Sequence, residues 1–198
     1  MPSLNPLRLF GLLWLCGCVV ACTIDLPLDA SPTPTASAPA TTPPVNQKVV
    51  DDQLGLTFTY PSGWTQLPRA SDAPESLTLM GPRVGAGAEP FTFAITLDVR
   101  GVSETTLATA IDAQLEGFPP EVLKLIQRTQ GTACGEPAEQ LIGMPALAGA
   151  IDTFSLHKGK LFHFSLTPYD AQIPTLAPYL TQVRAAYDAV LKSCQFVK

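Results

Sequence analysis

Apolar and polar residues alternate in several stretches of the chain, and each such stretch predicts a β-strand. From residue 55 to residue 60 apolar side chains alternate with threonine, which is typical of a strand with one buried face. The segment Pro61-Ser62-Gly63 then predicts a turn. Residues 76–80 and 91–99 predict two more strands, which the glycine-rich loop 81–87 joins.

Two other stretches repeat apolar residues at every third or fourth position, which predicts amphipathic helices. The first helix begins after Ser103, a candidate N-cap residue, and ends before Pro119-Pro120. The second covers residues 176–191. The apolar positions are Leu107, Ile111, Leu115 and Phe118 in the first helix, and Leu180, Val183, Tyr187 and Leu191 in the second.

Strands are also predicted over residues 122–129, 137–143, 149–157, 160–167 and 195–197. A turn at Lys158-Gly159 makes two of them a hairpin. In the simplest register Phe154 lies beside His163 on one face, and Thr153 lies beside Phe164 on the other. Both faces carry large apolar side chains, so both must be covered. The pattern therefore predicts the α+β class, with an antiparallel sheet flanked by helices.

An uncharged apolar run extends from residue 9 to residue 24, directly after Arg8. A membrane-spanning helix needs about 20 apolar residues, so this shorter run suits the core of a signal peptide. The tetrapeptides that end at Cys18 and Cys22 both resemble the lipobox of bacterial lipoproteins, whose cysteine is acylated, for example by palmitate. We expect a signal peptide over residues 1–21 and lipidation at Cys22, with Cys18 as the alternative. An ordinary secretory signal and a retained membrane anchor are the competing interpretations.

Residues 22–47 are predicted to be a tether between the lipidated cysteine and the folded domain. Residues 30–44 contain only alanine, serine, proline and threonine, so they cannot bury enough apolar surface to fold. Their prolines favour an extended conformation that reaches about 45 Å. The tract is interpreted as a spacer, and its composition also permits O-glycosylation. Residues 48–198 then form one globular domain.

The chain is mildly acidic, with 12 lysines and arginines against 17 aspartates and glutamates. Removal of residues 1–21 takes away one arginine and no acid, so the mature chain is more acidic still. This charge argues against nucleic acid as a partner and against electrostatic docking on anionic lipid. We therefore expect the lipid anchor to hold the protein at the cell membrane, with its domain on the extracytoplasmic side.

Four short motifs in the domain resemble those of one known family. Residues 56–64 (LTFTYPSGW) resemble the opening signature of PsbP-like domains, and residues 190–196 (VLKSCQF) resemble their closing helix and strand. Residues 135–138 and 159–162 are similar to two motifs between these ends. The resemblance to this family, which has bacterial lipoprotein members, implies an α/β/α sandwich that serves as a binding or assembly module. It implies no cofactor, and these motifs carry no photosystem-binding residue.

Cys134 and Cys194 are the two cysteines outside the export segment. Disulfides persist in proteins outside the cytoplasm, so we expect this pair to be bonded. Two separately buried thiols are the alternative. Neither cysteine has a histidine nearby in sequence, so the pair does not indicate a metal site.

Asp152, His163 and Ser165 fall on one face of the predicted hairpin, with Ser155 nearby in sequence, and could suggest a serine hydrolase. The chain has no Gly-x-Ser-x-Gly elbow, and a serine inside a strand lacks the exposed turn that acyl transfer needs. A hydrogen-bonded histidine and aspartate is the better interpretation. His157 lies on the opposite face from His163, which argues against a shared metal, and Trp64 is interpreted as packing.

The sequence thus predicts a non-enzymatic, membrane-tethered binding or assembly module, without metal or cofactor and with a possible protein partner in the cell envelope. The ligand cannot be identified from these residues. An envelope hydrolase or a small-ligand sensor is the alternative function.

Overall fold

The computed structural model describes residues 46–85, 90–145 and 149–197. These residues form two antiparallel sheets and three α-helices. In the smaller sheet the strand order is β1-β2-β10. Its strands are β1 (Gln47–Asp51), β2 (Leu56–Tyr60) and β10 (Gln195–Phe196).

The larger sheet has seven strands, and each pairs antiparallel with its neighbours. They are β3 (Thr65–Gln66), β4 (Ser76–Val84), β5 (Phe91–Gly101), β6 (Gln127–Ala133), β7 (Glu136–Ile142), β8 (Ile151–His157) and β9 (Lys160–Thr167). Their spatial order is β3-β4-β5-β9-β8-β7-β6, so β6 lies at one edge. The helices are α1 (Leu107–Leu115), α2 (Pro120–Leu123) and α3 (Leu180–Ser193), and a 3-10 turn at Ala177–Tyr179 precedes α3.

Both faces of the larger sheet are covered, as the hairpin pattern predicts. On one face Phe154 and Leu161 pack with Ile111 of α1. On the other face Phe164 packs with Tyr187 of α3, in a core that also includes residues of the smaller sheet. The predicted α+β class, with an antiparallel sheet flanked by helices, is confirmed.

A side chain at the end of α3 forms a hydrogen bond to the smaller sheet. The hydroxyl of Ser193 accepts a hydrogen bond from the backbone N–H of Thr59 at 3.0 Å. Farther on, the N–H of Val197 donates to the carbonyl of Gly55 at 2.8 Å. The first and last motifs of the PsbP resemblance are therefore in direct contact.

The predicted strand over residues 122–129 is wrong in its first half. Pro120 stands at the first position of α2, where its fixed φ and missing N–H suit a helix, and the strand begins only at Gln127. The cap of α1 also differs from expectation. Thr106 caps this helix instead of Ser103, because its hydroxyl accepts from the N–H of Thr109 at 3.3 Å.

Strand β4 continues into the segment that the sequence predicts to be a loop. Its pairing with β5 is irregular between Met80 and Arg83, and such a bulge accommodates a proline within a strand. Gly81 fits closely there, because a Cβ atom on it would lie only 3.1 Å from the ring of Trp64 and 3.2 Å from the carbonyl oxygen of Phe93. Within the described ranges, no helix is long and apolar enough to cross a bilayer.

Candidate functional site

A cleft of about 500 Å³ lies between helix α3 and the outer strands of the larger sheet. The sheet side carries small or polar residues, among them Thr129, Gly131, Ala138, Gln140 and Thr153. The helix side carries Arg184, Asp188, Leu191 and Lys192. Gly131 on β6 pairs with Ala138 on β7, and a hydrogen atom and a methyl group occupy little of the space between the sheet and the helix.

A chain of hydrogen bonds forms the floor of this cleft. The hydroxyl of Tyr187 lies 2.7 Å from Thr153 Oγ1 and 3.0 Å from the carbonyl oxygen of Phe164. Gln140 Nε2 donates to Thr153 Oγ1 at 3.0 Å, and Arg184 Nη2 donates to Gln140 Oε1 at 2.8 Å. Burial raises the pKa of Tyr187 far above its ordinary value, so the phenol is neutral. Polar groups of the cleft are thereby held in place from the core outward.

The two domain cysteines meet at one end of the cleft. Cys134 lies in the turn between β6 and β7, Cys194 caps the end of α3, and a disulfide joins them in this structure with a Cα separation of 4.2 Å. The N–H of Cys134 also donates to the carbonyl of Leu191 at 3.2 Å. The disulfide connects the β6–β7 hairpin to helix α3, which forms the opposite wall of the cleft. Its formation in the exported protein stays a prediction.

On the other face of the sheet, toward α1, an ion-pair cluster anchors β6 to β7. Arg128 contacts the buried carboxylate of Glu139 and lies 3.1 Å from Asp112 of α1. The hydrogen bond to Glu139 raises the pKa of Arg128 above its ordinary value. Gln130 Nε2 donates to the second oxygen of Glu139 at 2.8 Å. These contacts satisfy the buried carboxylate and hold the edge strand in register.

Asp152 and His163 form a hydrogen-bonded pair, as the sequence predicts. Asp152 Oδ1 lies 2.7 Å from His163 Nε2, and the imidazole stacks on Phe154 with ring centroids 4.4 Å apart. In a serine hydrolase triad the aspartate binds Nδ1 and the serine faces Nε2, whereas here the aspartate occupies Nε2. Ser165 stands opposite Asp152 inside the sheet, and Ser155 donates to a backbone carbonyl on the other face. The geometry is that of a satisfied polar pair.

The remaining candidate residues are held apart from one another. His157 lies on the opposite face from His163, where it stacks on Phe196 with centroids 3.9 Å apart. Among the described residues, no three His, Cys, Asp or Glu side chains are arranged to hold a metal ion. Trp64 is buried and lines an apolar cleft of about 290 Å³ beside Tyr179. Cys18 and Cys22 lie outside the described residues.

The sequence did not predict the main cleft, because the cleft depends on how β6, β7 and α3 come together. One signal was present in the chain. Gly131 and Ala138 are small residues on two successive extended segments, and the hairpin register places them opposite each other. Small residues that face each other under a helix leave a gap.

Comparison with known proteins supports the fold and gives no closer assignment. No family model matches the chain, and no curated protein matches it. The solution structure of cyanobacterial PsbP (CyanoP) from Synechocystis sp. PCC 6803 is similar at a TM-score of 0.51 and 15% identity, covering 83% of this chain and 99% of that one. The crystal structure of the Saccharomyces cerevisiae Ran-binding protein Mog1p is similar at a TM-score of 0.50 and 14% identity. The match covers 78% of this chain and 97% of that one. At these identities the likeness concerns the fold alone, and the chain has a PsbP-like fold.

Proposed function

We propose that this chain is an exported lipoprotein whose domain binds a protein partner on the extracytoplasmic side of the cell membrane. The apolar run followed by Cys22, with Cys18 as the alternative acceptor, supports export and lipidation. The tract over residues 30–44 would hold the domain away from the bilayer. Mog1p, a protein of similar fold, is described as Ran-binding, which supports a binding role for this domain as well.

The open cleft beside β6 is the observation that carries the binding role. It combines apolar surface from Ala138 and Leu191 with polar groups that the Tyr187 network holds fixed. Preorganised polar groups next to apolar surface suit the recognition of a ligand, because little side-chain freedom is lost on binding. The Asp152–His163 pair lies on the other face of the sheet and takes no part in this cleft.

Photo-crosslinking in intact cells tests the proposal. A photoreactive residue replaces Thr129, whose side chain faces the cleft, or Val50, which is 63% exposed on β1 and serves as the control position. We expect a defined protein adduct from position 129 and none from position 50. The adduct should disappear in Gly131→Leu, whose side chain would fill the cleft. Equal adducts at both positions, or an adduct that survives the filled cleft, would contradict this function.

A further inference from the structure

Strand β6 is an unprotected edge of the larger sheet. It pairs with β7 through seven consecutive residues without a bulge, and within the described ranges no strand lies on its other side. The opposite edge, β3, has only two residues. Proteins usually protect edges with short strands, prolines, bulges or several charges, and β6 offers only Arg128.

The turn that precedes β7 shows which backbone groups of β6 point outward. Cys134 and Gly135 both have positive φ, 53° and 82°, so they form a two-residue hairpin turn of type I′. The flanking pair Ala133–Glu136 is then hydrogen-bonded, and the pairs alternate from there along the ladder. Pro137, which has no N–H, occupies a non-hydrogen-bonded pair with β6, as this alternation requires.

Three residues of β6 therefore direct both backbone N–H and C=O away from β7. They are Arg128, Gln130 and Thr132, and all three are exposed. Their spacing of two residues matches the repeat of a β-ladder. An extended chain that pairs along this edge would satisfy all six groups at once.

The cleft lies directly beside this edge, on the α3 side of the sheet. Side chains of an added strand that point toward α3 would enter the space above Gly131, where an added Cβ atom would meet nothing within 4 Å. The ammonium of Lys192 at the cleft has no carboxylate partner among the described residues, whereas Arg184 is paired with Asp188. The cleft thus suits a large apolar side chain and a carboxylate.

We infer that the β6 edge accepts an extended segment of a partner protein as an additional strand. Alternate apolar side chains of that segment fill the cleft, and an acidic side chain reaches Lys192. The inference rests on the proposed binding function and names the partner's chemistry. A second copy of this chain fits less well, because the β6 residues on the α3 face include Thr129, Gly131 and Ala133, and none of these is a large apolar side chain that could fill the cleft of the other copy.

Amide hydrogen exchange, followed residue by residue in the full chain in detergent micelles, tests the inference. The probe is a synthetic peptide of about ten residues that alternates valine and threonine around one central glutamate, a length that spans a full strand. We expect exchange at Arg128, Gln130 and Thr132 to slow by at least about tenfold when the peptide binds. Exchange at Thr129 and Gly131 should change little, because their N–H groups already donate to β7.

Two variants at position 130 isolate the contribution of a backbone N–H to peptide binding. Gln130→Pro removes one outward N–H, whereas Gln130→Thr keeps it, and both lose the hydrogen bond from the Gln130 side chain to Glu139. Peptide affinity should fall about tenfold in the proline variant relative to the threonine variant. Lys192→Gln should weaken binding of the glutamate peptide and leave unchanged the binding of a glutamine version.

Two results would overturn the inference. Unchanged exchange at the three outward residues with millimolar peptide would exclude strand pairing at this edge. Alternating protection that appears without peptide and grows with protein concentration would assign the edge to a second copy. A cleft adduct at position 129 that persists in Gln130→Pro, together with unchanged exchange, would leave the binding function standing and remove the added strand.

Discussion

Tyr187 joins helix α3 to the larger sheet through a single hydroxyl group. The side chain is fully buried, and its hydroxyl lies within hydrogen-bond distance of Thr153 on β8 and Phe164 on β9. The same hydroxyl begins the chain of contacts that reaches Gln140 and Arg184 in the cleft. The polar surface of the candidate site is therefore coupled to the packing of the core.

Tyr187→Phe removes the hydroxyl and leaves the aromatic ring. We expect the free energy of unfolding to fall by about 1–2 kcal/mol at neutral pH, because Thr153 Oγ1 and the Phe164 carbonyl lose a buried partner. Urea denaturation measures the change. Tyr179→Phe is the matched control, since its hydroxyl has no hydrogen-bond partner among the described residues, and it should change the stability far less.

The raised pKa of Tyr187 leads us to expect a loss of stability in alkaline solution. Burial raises the pKa of Tyr187 well above its ordinary value of 10.0, so the unfolded chain ionises this phenol at a pH where the folded chain does not. Its contribution is therefore complete below about pH 10 and is lost as the pH rises further. Above about pH 10 the free energy of unfolding should fall more steeply in the parent than in Tyr187→Phe. Parallel slopes for the two proteins would contradict this assignment.

At the scale of elements, the sequence predicts best where the structure is determined locally. The β8–β9 hairpin has a short turn at Lys158-Gly159 and apolar residues on both faces, so its register and its Asp152–His163 pair follow from the sequence. Strand β6 is the opposite case. As an edge strand it is exposed over most of its length and has no apolar alternation, so the predicted strand over residues 122–129 began too early, at the apolar residues around Leu123, and missed the second half of β6.

The cleft and its hydrogen-bond network could not be predicted from the sequence either, but for a different reason. Gln140 and Thr153 lie on β7 and β8, far along the chain from Arg184 and Tyr187 of α3, and only the docking of α3 on the sheet brings the two pairs together. No local pattern specifies that docking. The Cys134–Cys194 disulfide was predicted because these are the two cysteines that remain after the export segment. Their positions in the fold did not contribute to that prediction.

The Cys134–Cys194 link should stabilise the domain by holding the β6–β7 hairpin against α3. The two residues are 60 positions apart, and closing a loop of that length contributes about 4 kcal/mol in the chain-entropy model. We expect reduction, or the double variant Cys134→Ala with Cys194→Ala, to lower the free energy of unfolding by up to this amount. Chemical denaturation with and without reductant measures it.

Thiol counting provides the control for the disulfide. Protein purified from the cell envelope, denatured without reductant, should show no free thiol at either position. If both thiols are free, the stabilisation is absent and the two cysteines are separately buried. Reductant should leave the stability of the alanine double variant unchanged, which separates the bond from other effects of reduction.

At the scale of the whole molecule, the proposed attachment to the membrane would depend on a segment outside the folded domain. The chain is acidic, with a formal net charge of −5, so its surface does not favour anionic lipid. Each buried methylene of an acyl chain contributes about 0.8 kcal/mol, and stable anchoring requires more than one chain. A lipidated N-terminus would therefore account for the proposed membrane attachment without any contribution from the domain surface.

We expect the mature protein to begin at a lipidated Cys22. Three small or aliphatic residues, Val19, Val20 and Ala21, precede this cysteine directly, and the uncharged core before it is longer than the core before Cys18. Mass spectrometry of the N-terminal peptide from membranes should show an acylated Cys22, and Cys22→Ser should abolish the modification. Cys18→Ser is the matched control and should leave lipidation intact, because a serine at that position still lies within an uncharged signal core. An unmodified N-terminus beyond residue 22 would contradict lipidation, and an acylated Cys18 would move the cleavage site to the other lipobox-like tetrapeptide.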